Sequence, residues 1–564
     1  MAAKKRLSNN KKRKLKQLVE QAYRLSNQRN LQPWMQACAE IEALQPNNPD
    51  LANLRGVAAY HAGHHDAAKK YFHQAIEAAP KRADLILTLA NFYLVQNYSK
   101  QAASYFKQAY DLGERGFDTL LSYGQCLIFE DAKVDALAIL KKAETLVPYN
   151  EELCFALYRA YFGLGRLDDA EKSLKNILNN NPTSARALLG MGQISLQHVE
   201  FAAAKDYAHQ ALANDSNFVD AYILLCDVKK FNDPQDHDIL HMQELLKETD
   251  KDLPHFHILS TALAKALHQT QQYDEAFHVV HTSKEHIFQN SSYRPEEELA
   301  HLQYIIETFS EDDAQTNSGY VDDTPIFVVG MPRCGSTLTE QILTSHPDIQ
   351  SVGESDFIMK SMLEIADDPN TFSLQTFLNF PPDMWRKFAD VYLKHIRKQH
   401  PTSPHIVDKQ LENIRHIGSI YKAFPNAKVI HVQRQPMDIG WSIYKNNLEG
   451  GIYNYGQNLE QLGYYYRAYE RLMRHWKRVL PESFLYEIQY ETLVQHPQEE
   501  IPKLLDFCHV STHEDCFNFY KSKNVAATTS SAQVRKPMYN KSIQSWKPYE
   551  KHLKVLADIV GHKL

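Results

Sequence analysis

The residues with the clearest chemistry lie around position 330. Thr324 to Val329 (TPIFVV) is short, apolar and rich in β-branched side chains, and it runs straight into Gly330-Met331-Pro332-Arg333-Cys334-Gly335-Ser336-Thr337. Leu338, Ile342 and Leu343 then recur at helical spacing. The order predicts strand, glycine loop and helix. Such a loop turns several backbone N–H groups and the positive end of the helix dipole towards one point, which suits a phosphate. In the triphosphate-hydrolysing pattern GxxxxGK[ST] a lysine follows the second glycine, whereas Ser336 stands there and the nearby cation is Arg333. The site therefore suits the 5′-phosphate end of a nucleotide whose terminal group is not a metal-bound phosphate. A second strand-like run, Lys428 to Val432, ends in Gln433-Arg434 where a magnesium-holding Asp would be needed, so no catalytic metal is expected. Cys334 stands at the start of the predicted helix, a place that lowers a thiol's pKa and favours oxidation, unless its size alone decides.

The run PIFVVGMPRCGSTLTEQIL resembles the 5′-phosphosulfate loop of the sulfotransferases, above all the bacterial repeat-containing and the tyrosylprotein sulfotransferases. The resemblance implies transfer of a sulfuryl group from 3′-phosphoadenosine 5′-phosphosulfate to a hydroxyl, with Arg333, Cys334, Gly335, Ser336 and Thr337 around the donor. Further segments agree. Glu354, in Val352-Gly353-Glu354-Ser355 and 21 residues after Arg333, matches the family's base for the acceptor proton. Lys409, in His405-Ile406-Val407-Asp408-Lys409, matches the lysine that supports the bridging oxygen as charge builds on the leaving phosphate; Leu411 departs from the proline of many relatives. Arg434 and Ser442, eight residues apart, resemble the 3′-phosphate segment, where a planar fork of donors and one directional hydroxyl distinguish that phosphate from a bare ribose. Tyr490 matches a nucleotide-contacting tyrosine. Arg535 and Lys536 fall in a stretch like the family's closing loop, with Tyr539 or Trp546 either covering the adenine or packing. The tyrosylprotein branch carries Lys just before that Trp, where this chain has Ser545, with Lys547 after it.

These segments need a scaffold. The run 324–564 reads as an α/β domain with a short parallel sheet whose strand ends hold the ligand. Ahead of it, Ala68, Ala102, Ala136, Ala170 and Ala204 stand 34 residues apart, as do Ala75, Ala109, Ala143, Ile177 and Ala211. Pro46, Pro80, Pro148 and Pro182 fall on the same period, and Gly56, Ala90, Gly124 and Gly192 form another small-residue column that Tyr158 interrupts. Period and pattern resemble the tetratricopeptide repeat: antiparallel helix pairs that stack into a superhelix with a groove for polypeptide, or into a plain scaffold. The repeats are regular to about 216; Ala276 lies 72 residues beyond Ala204, out of register. The expected organisation is a basic leader over 1–31, repeats over 32–290, a polar, acidic linker over 291–323 and the sulfotransferase-like domain over 324–564. The fold class is multidomain, an all-α superhelix followed by a P-loop-like α/β domain.

Composition narrows the partners. The chain has 564 residues, 43% apolar and 23% charged, with 62 Lys+Arg against 68 Asp+Glu, so it is no general polyanion binder and no nucleic acid partner is expected. The basic leader reads as a solvated, frayed helix start rather than a lipid or nucleic acid contact. Seven cysteines without a CxxC pair exclude a disulfide framework and a structural zinc site, and fit a reducing compartment. His237 and His241, with His255 and His257 nearby, lack the partners of a metal site and read as repeat-surface residues. No apolar run reaches the roughly 18 residues a span needs, and the leader has no apolar core of a signal peptide. A soluble, cytoplasmic enzyme with a polypeptide, glycan, lipid or small phenol as acceptor is expected; a non-catalytic repeat adaptor and, further off, a P-loop kinase are the alternatives.

Overall fold

The computed structural model describes residues 8–28, 31–130, 132–366, 380–446, 448, 453–521, 537–538 and 542–563. It divides into two compact units, Met1–Asn179 and Asn180–Leu564.

The first unit is built from helix pairs. Pro49–His61 pairs with His65–Ala78, Ala83–Val95 with Ser99–Asp111, and Phe117–Phe129 with Lys133–Leu146; Glu151–Gly163 and Leu167–Asn180 continue the series. The small columns explain the pairing. Ala68, Ala102, Ala136 and Ala170 are all fully buried, as are Ala75, Ala109 and Ala143. At Gly56 a Cβ would fall 2.5 Å from Phe72, and at Gly124 2.5 Å from Leu140, in each case on the partner helix of the pair. These glycines let backbones approach where any side chain would hold them apart. The basic leader is more structured than a frayed start: Asn9–Asn27 is helical and buries Leu18 and Ala22 with Trp34, Ile41 and Leu54. Its cations occupy the outer face of an amphipathic helix whose inner face has a core to join.

The second unit opens with two more helix pairs, Ala185–Gln197 with Phe201–Asn214 and Pro254–Gln269 with Tyr273–Gln289; between them Val219–Val228 and His237–Glu248 both pack against Pro254–Gln269. The register slip in the sequence falls at the shortened helix Val219–Val228 and the irregular stretch 229–236 after it. The sheet follows. Strands β1 (Pro325–Val329), β2 (Ile349–Gly353), β3 (His405–Asp408), β4 (Lys428–Gln433) and β5 (Leu485–Gln489) lie in the order β2-β3-β1-β4-β5, every neighbouring pair parallel. β1 is central and buried throughout, as an apolar PIFVV run requires. The stretch read as a linker contains a helix, Pro295–Thr308, because Leu302 and Ile305 are fully buried while Glu296, Glu297 and Glu298 fill its first turn, where the dipole favours acidic groups. One continuous apolar core joins the late helix pairs to the sheet: Phe277 stacks on His552 at 4.2 Å and lies 6.0 Å from Trp441.

Candidate active site

In a parallel sheet all strands end on the same side, and here each strand ends immediately before a residue or loop singled out in the sequence. β1 delivers the loop Gly330–Gly335, β2 Glu354, β3 Lys409, β4 Arg434 and β5 Tyr490. Such an edge is where open α/β sheets bind ligands.

The loop is bent into conformations that side chains seldom adopt. Gly330 and Gly335 have φ of 153° and 111°, and Arg333, not a glycine, has φ of 68°. Left-handed backbone at a non-glycine residue costs about 1 kcal/mol and persists where surrounding contacts impose it. Those contacts are visible. The Arg333 carbonyl accepts from Arg434 Nη1 at 2.8 Å, and Arg333 Nε donates to Ser442 Oγ at 3.1 Å. Arg434 Nη2 donates to the Ser542 carbonyl at 2.6 Å, and its guanidinium lies 4.7 Å from the Tyr490 ring centre. The Tyr490 hydroxyl bonds Ser542 Oγ at 2.6 Å. The Tyr490 ring also lies where a Cβ on Gly335 would be, so only glycine fits beneath it. Arg434 Nε is buried with no partner among the described residues, a donor suited to an anion. Ser336 and Thr337, both buried, open the helix Ser336–Thr344. The structure thus brings Arg333, Gly335, Arg434, Ser442 and Tyr490 into one network.

Of its two readings, activated thiol or space-filling side chain, Cys334 agrees with the second in the structure. It is completely buried, and that burial pushes its pKa up to about 11 despite the helix start and Arg434. Desolvation outweighs the dipole, so Cys334 fills space beside Gly330.

The second cluster joins β2 to β3. Lys409, fully buried, is ion-paired with Glu354, whose side chain is 45% exposed, and Lys409 Nζ lies 3.8 Å from Glu340 Oε2. The Lys409 N–H donates to the Gly353 carbonyl at 2.9 Å. Tyr453 belongs to the same region: burial, helped by Glu412 and Glu354, raises its hydroxyl pKa. In place of the family's proline, Leu411 begins a 3-10 turn, Leu411–Arg415, and Lys409 keeps its place at the strand end.

Sequence reading missed three groups. Glu340 stands one helical turn after Ser336, and Ser542 lies six residues past Lys536. Lys445 lies just past Ser442; burial, then Arg333, Arg434 and Lys265, lowers its pKa to about 7. Only the helical spacing from Ser336 and Ser442 signalled the first and third. Arg535, Lys536 and Tyr539 lie outside the described residues. Trp546 packs, 6% exposed and 5.1 Å from His562, while Ser545 Oγ donates to Asp438 Oδ1 at 3.0 Å. His237 and His241 stack on each other, and His241 bonds the Tyr222 hydroxyl. Among the described residues no group of three or more His, Cys, Asp or Glu is placed to hold a metal, and no helix is long and apolar enough to cross a membrane.

Comparison with known proteins finds two families along the chain. Residues 325–515 match the sulfotransferase family and residues 134–194 the tetratricopeptide repeat. An uncharacterized protein of Aquifex aeolicus (strain VF5) is 33% identical over 309 residues, which is 53% of this chain and 40% of that protein. A protein-tyrosine sulfotransferase of Drosophila melanogaster is 25% identical over 274 residues, 44% of this chain and 52% of that protein. The chain thus spans about half or less of these two relatives. The crystal structure of YrrB, a tetratricopeptide-repeat protein with an unusual peptide-binding site, is similar with a TM-score of 0.31 and 18% identity, over 33% of this chain and 95% of that one. The chain carries tetratricopeptide repeats followed by a sulfotransferase-family domain built on a short parallel sheet.

Proposed function

We propose that the chain transfers a sulfuryl group from 3′-phosphoadenosine 5′-phosphosulfate to a hydroxyl acceptor. The observation that carries this reading is the delivery of the loop, Glu354, Lys409, Arg434 and Tyr490 by five parallel strands to one sheet edge. The residues present fit the donor: Arg434 Nε is a buried donor with no partner among the described residues, and it stands at the same strand ends as the glycine loop. The donor supplies an activated sulfur with the 5′-phosphate as leaving group. Arg333 and the amides of Gly335, Ser336 and Thr337 hold the 5′ end and the transferring group. Glu354 takes the acceptor proton as the acceptor oxygen bonds to sulfur and the bond from sulfur to the bridging oxygen breaks. Lys409, held at the same place by its carboxylate partners, balances the charge that builds on the bridging oxygen. Arg434 and Ser442 hold the 3′-phosphate, joined by Arg535 and Lys536 from the closing stretch. No metal enters the scheme.

For the acceptor we propose a polypeptide hydroxyl, tyrosine first, presented through the repeats. The name of the fly relative and the repeat match support this class, and glycans and small phenols are the competing classes.

The test has two arms. Calorimetry is expected to show 3′,5′-diphosphoadenosine binding at least about tenfold tighter than adenosine 5′-phosphate, as one charge-assisted phosphate contact provides. Glu354→Ala is expected to cost roughly 100-fold or more in turnover of labelled donor with nucleotide affinity unchanged. No diphosphate binding would leave a repeat adaptor, and full turnover in the variant would remove Glu354 from the base role.

A further inference from the structure

The two residues proposed to act on the reacting bond come from different strands, and one buried side chain ties both down. We infer that Asp408 is the positioning residue that sets Glu354 and Lys409 against each other. The inference rests on the sulfuryl-transfer reading of this site.

Asp408 closes β3 and is fully buried. Its Oδ1 accepts from the Gln410 N–H at 3.0 Å and from Asn413 Nδ2 at 3.2 Å, which shapes the turn on the far side of Lys409. Its Oδ2 accepts from the Tyr392 hydroxyl at 2.8 Å and from Ser355 Oγ at 3.3 Å, and Ser355 directly follows Glu354. On the near side of Glu354, the Gly353 carbonyl accepts from the Lys409 N–H. Glu354 is therefore bracketed by bonds to the end of β3, and Lys409 stands between Asp408 and the turn that Asp408 holds. The register of β2 on β3 shifts between Ser351 and Gly353, an irregularity that re-aims a strand just before Glu354. Without the Asp408 carboxylate, only the backbone bond from Lys409 to Gly353 among these contacts would hold the end of β2, and the Ser355 side of Glu354 would be untied.

The bonds also say which property of Asp408 matters. Gln410 N–H and Asn413 Nδ2 are obligate donors, so Oδ1 must be an acceptor. The Tyr392 and Ser355 hydroxyls can each donate or accept. An amide at this position, oxygen towards Gln410 and nitrogen towards the hydroxyls, keeps every bond and loses only the charge. Burial raises the Asp408 carboxyl to about 6, with Glu340 adding to the rise and Gln410, Tyr392 and Ser355 opposing it; Lys409 is the adjacent cation. A positioning role is indifferent to that titration, whereas a charge role follows it.

The experiment compares Asp408→Asn with Asp408→Ala in the full chain, measuring kcat, KM for donor and acceptor, diphosphoadenosine affinity and the pH profile of kcat. Asp408→Asn is expected to retain turnover within about threefold and the wild-type acid limb. Asp408→Ala is expected to lose about 100-fold in kcat with KM and nucleotide affinity within about threefold, the pattern of a group displaced from the reacting bond. A folded Asp408→Ala with wild-type kcat overturns the proposal. So does an Asn variant that falls as far as Ala, which would point to charge. If Asp408→Ala does not fold, the double variant Ser355→Ala/Tyr392→Phe removes both donors to Oδ2, and a kcat loss of about tenfold is expected; unchanged kcat overturns the proposal. A wild-type chain that binds no diphosphoadenosine overturns the transferase reading and this proposal with it, whereas normal binding and turnover confine any failure to Asp408.

Discussion

Lys445 shows how charge is balanced in this pocket. Burial and the neighbouring cations Arg333, Arg434 and Lys265 bring its pKa to about 7, with Asp438 opposing. An anion arriving there favours the protonated form, so binding and protonation are linked. The sign follows: below about 7 Lys445 is already charged and the full attraction is present; above it, binding must first take up a proton. Affinity for 3′,5′-diphosphoadenosine is expected to weaken as pH rises from about 7 to 9, with proton uptake visible in calorimetry across buffers of different ionisation enthalpy. Lys445→Met is expected to flatten that slope, and a variant with the wild-type slope would assign the proton to another group. Cys334 carries the opposite lesson: at a helix start that would favour a thiolate, complete burial leaves the side chain's size to decide.

Among the elements, the glycine loop after β1 depends on Tyr490, which begins the helix after β5 and is far away in sequence. Its ring covers Gly335, whose φ of 111° already disfavours a side chain. Gly335→Ala is expected to cost about 1 to 3 kcal/mol in urea unfolding and to weaken nucleotide binding, from left-handed strain plus collision with the ring. Pairing it with Tyr490→Ala relieves the collision but not the strain, so partial recovery is expected. Full recovery would mean that backbone conformation contributes nothing. The strand motifs and the helix after the loop were legible because apolar runs, glycines and β-branched residues act locally. The helix Pro295–Thr308 was not: its many acidic residues hide Leu302 and Ile305, and Glu298, paired with Arg415, is invisible without the partner.

Across the second unit, the late helix pairs are part of the structure that holds the site. His268 Nδ1 meets the Tyr549 hydroxyl at 2.8 Å, His281 Nδ1 meets Tyr444 at 2.6 Å, and Lys284 Nζ donates to the Asn446 carbonyl at 2.8 Å. Tyr444 ends the helix that carries Ser442, so helix Tyr273–Gln289 braces the element bearing that serine directly. Phe277, stacked between His552 and Trp441, is the apolar centre of that contact. Phe277→Ala is expected to destabilise this unit by about 3 kcal/mol, as truncation of a buried aromatic does. A urea midpoint shift corresponding to less than about 1 kcal/mol would show that the contact is peripheral.

The order of residues alone determined the 34-residue period, the strand, loop and helix around Arg333, and the spacing from Arg333 to Glu354 and from Arg434 to Ser442, because each is a local pattern of side-chain size and backbone freedom. Tertiary structure decided what those residues touch. The pairing of Lys409 with Glu354 and Glu340, the cover of Tyr490 on Gly335, the burial of Cys334 and the joining of the late repeats to the sheet all link residues far apart in the chain. Such contacts are set by strand order and packing, which no local pattern records.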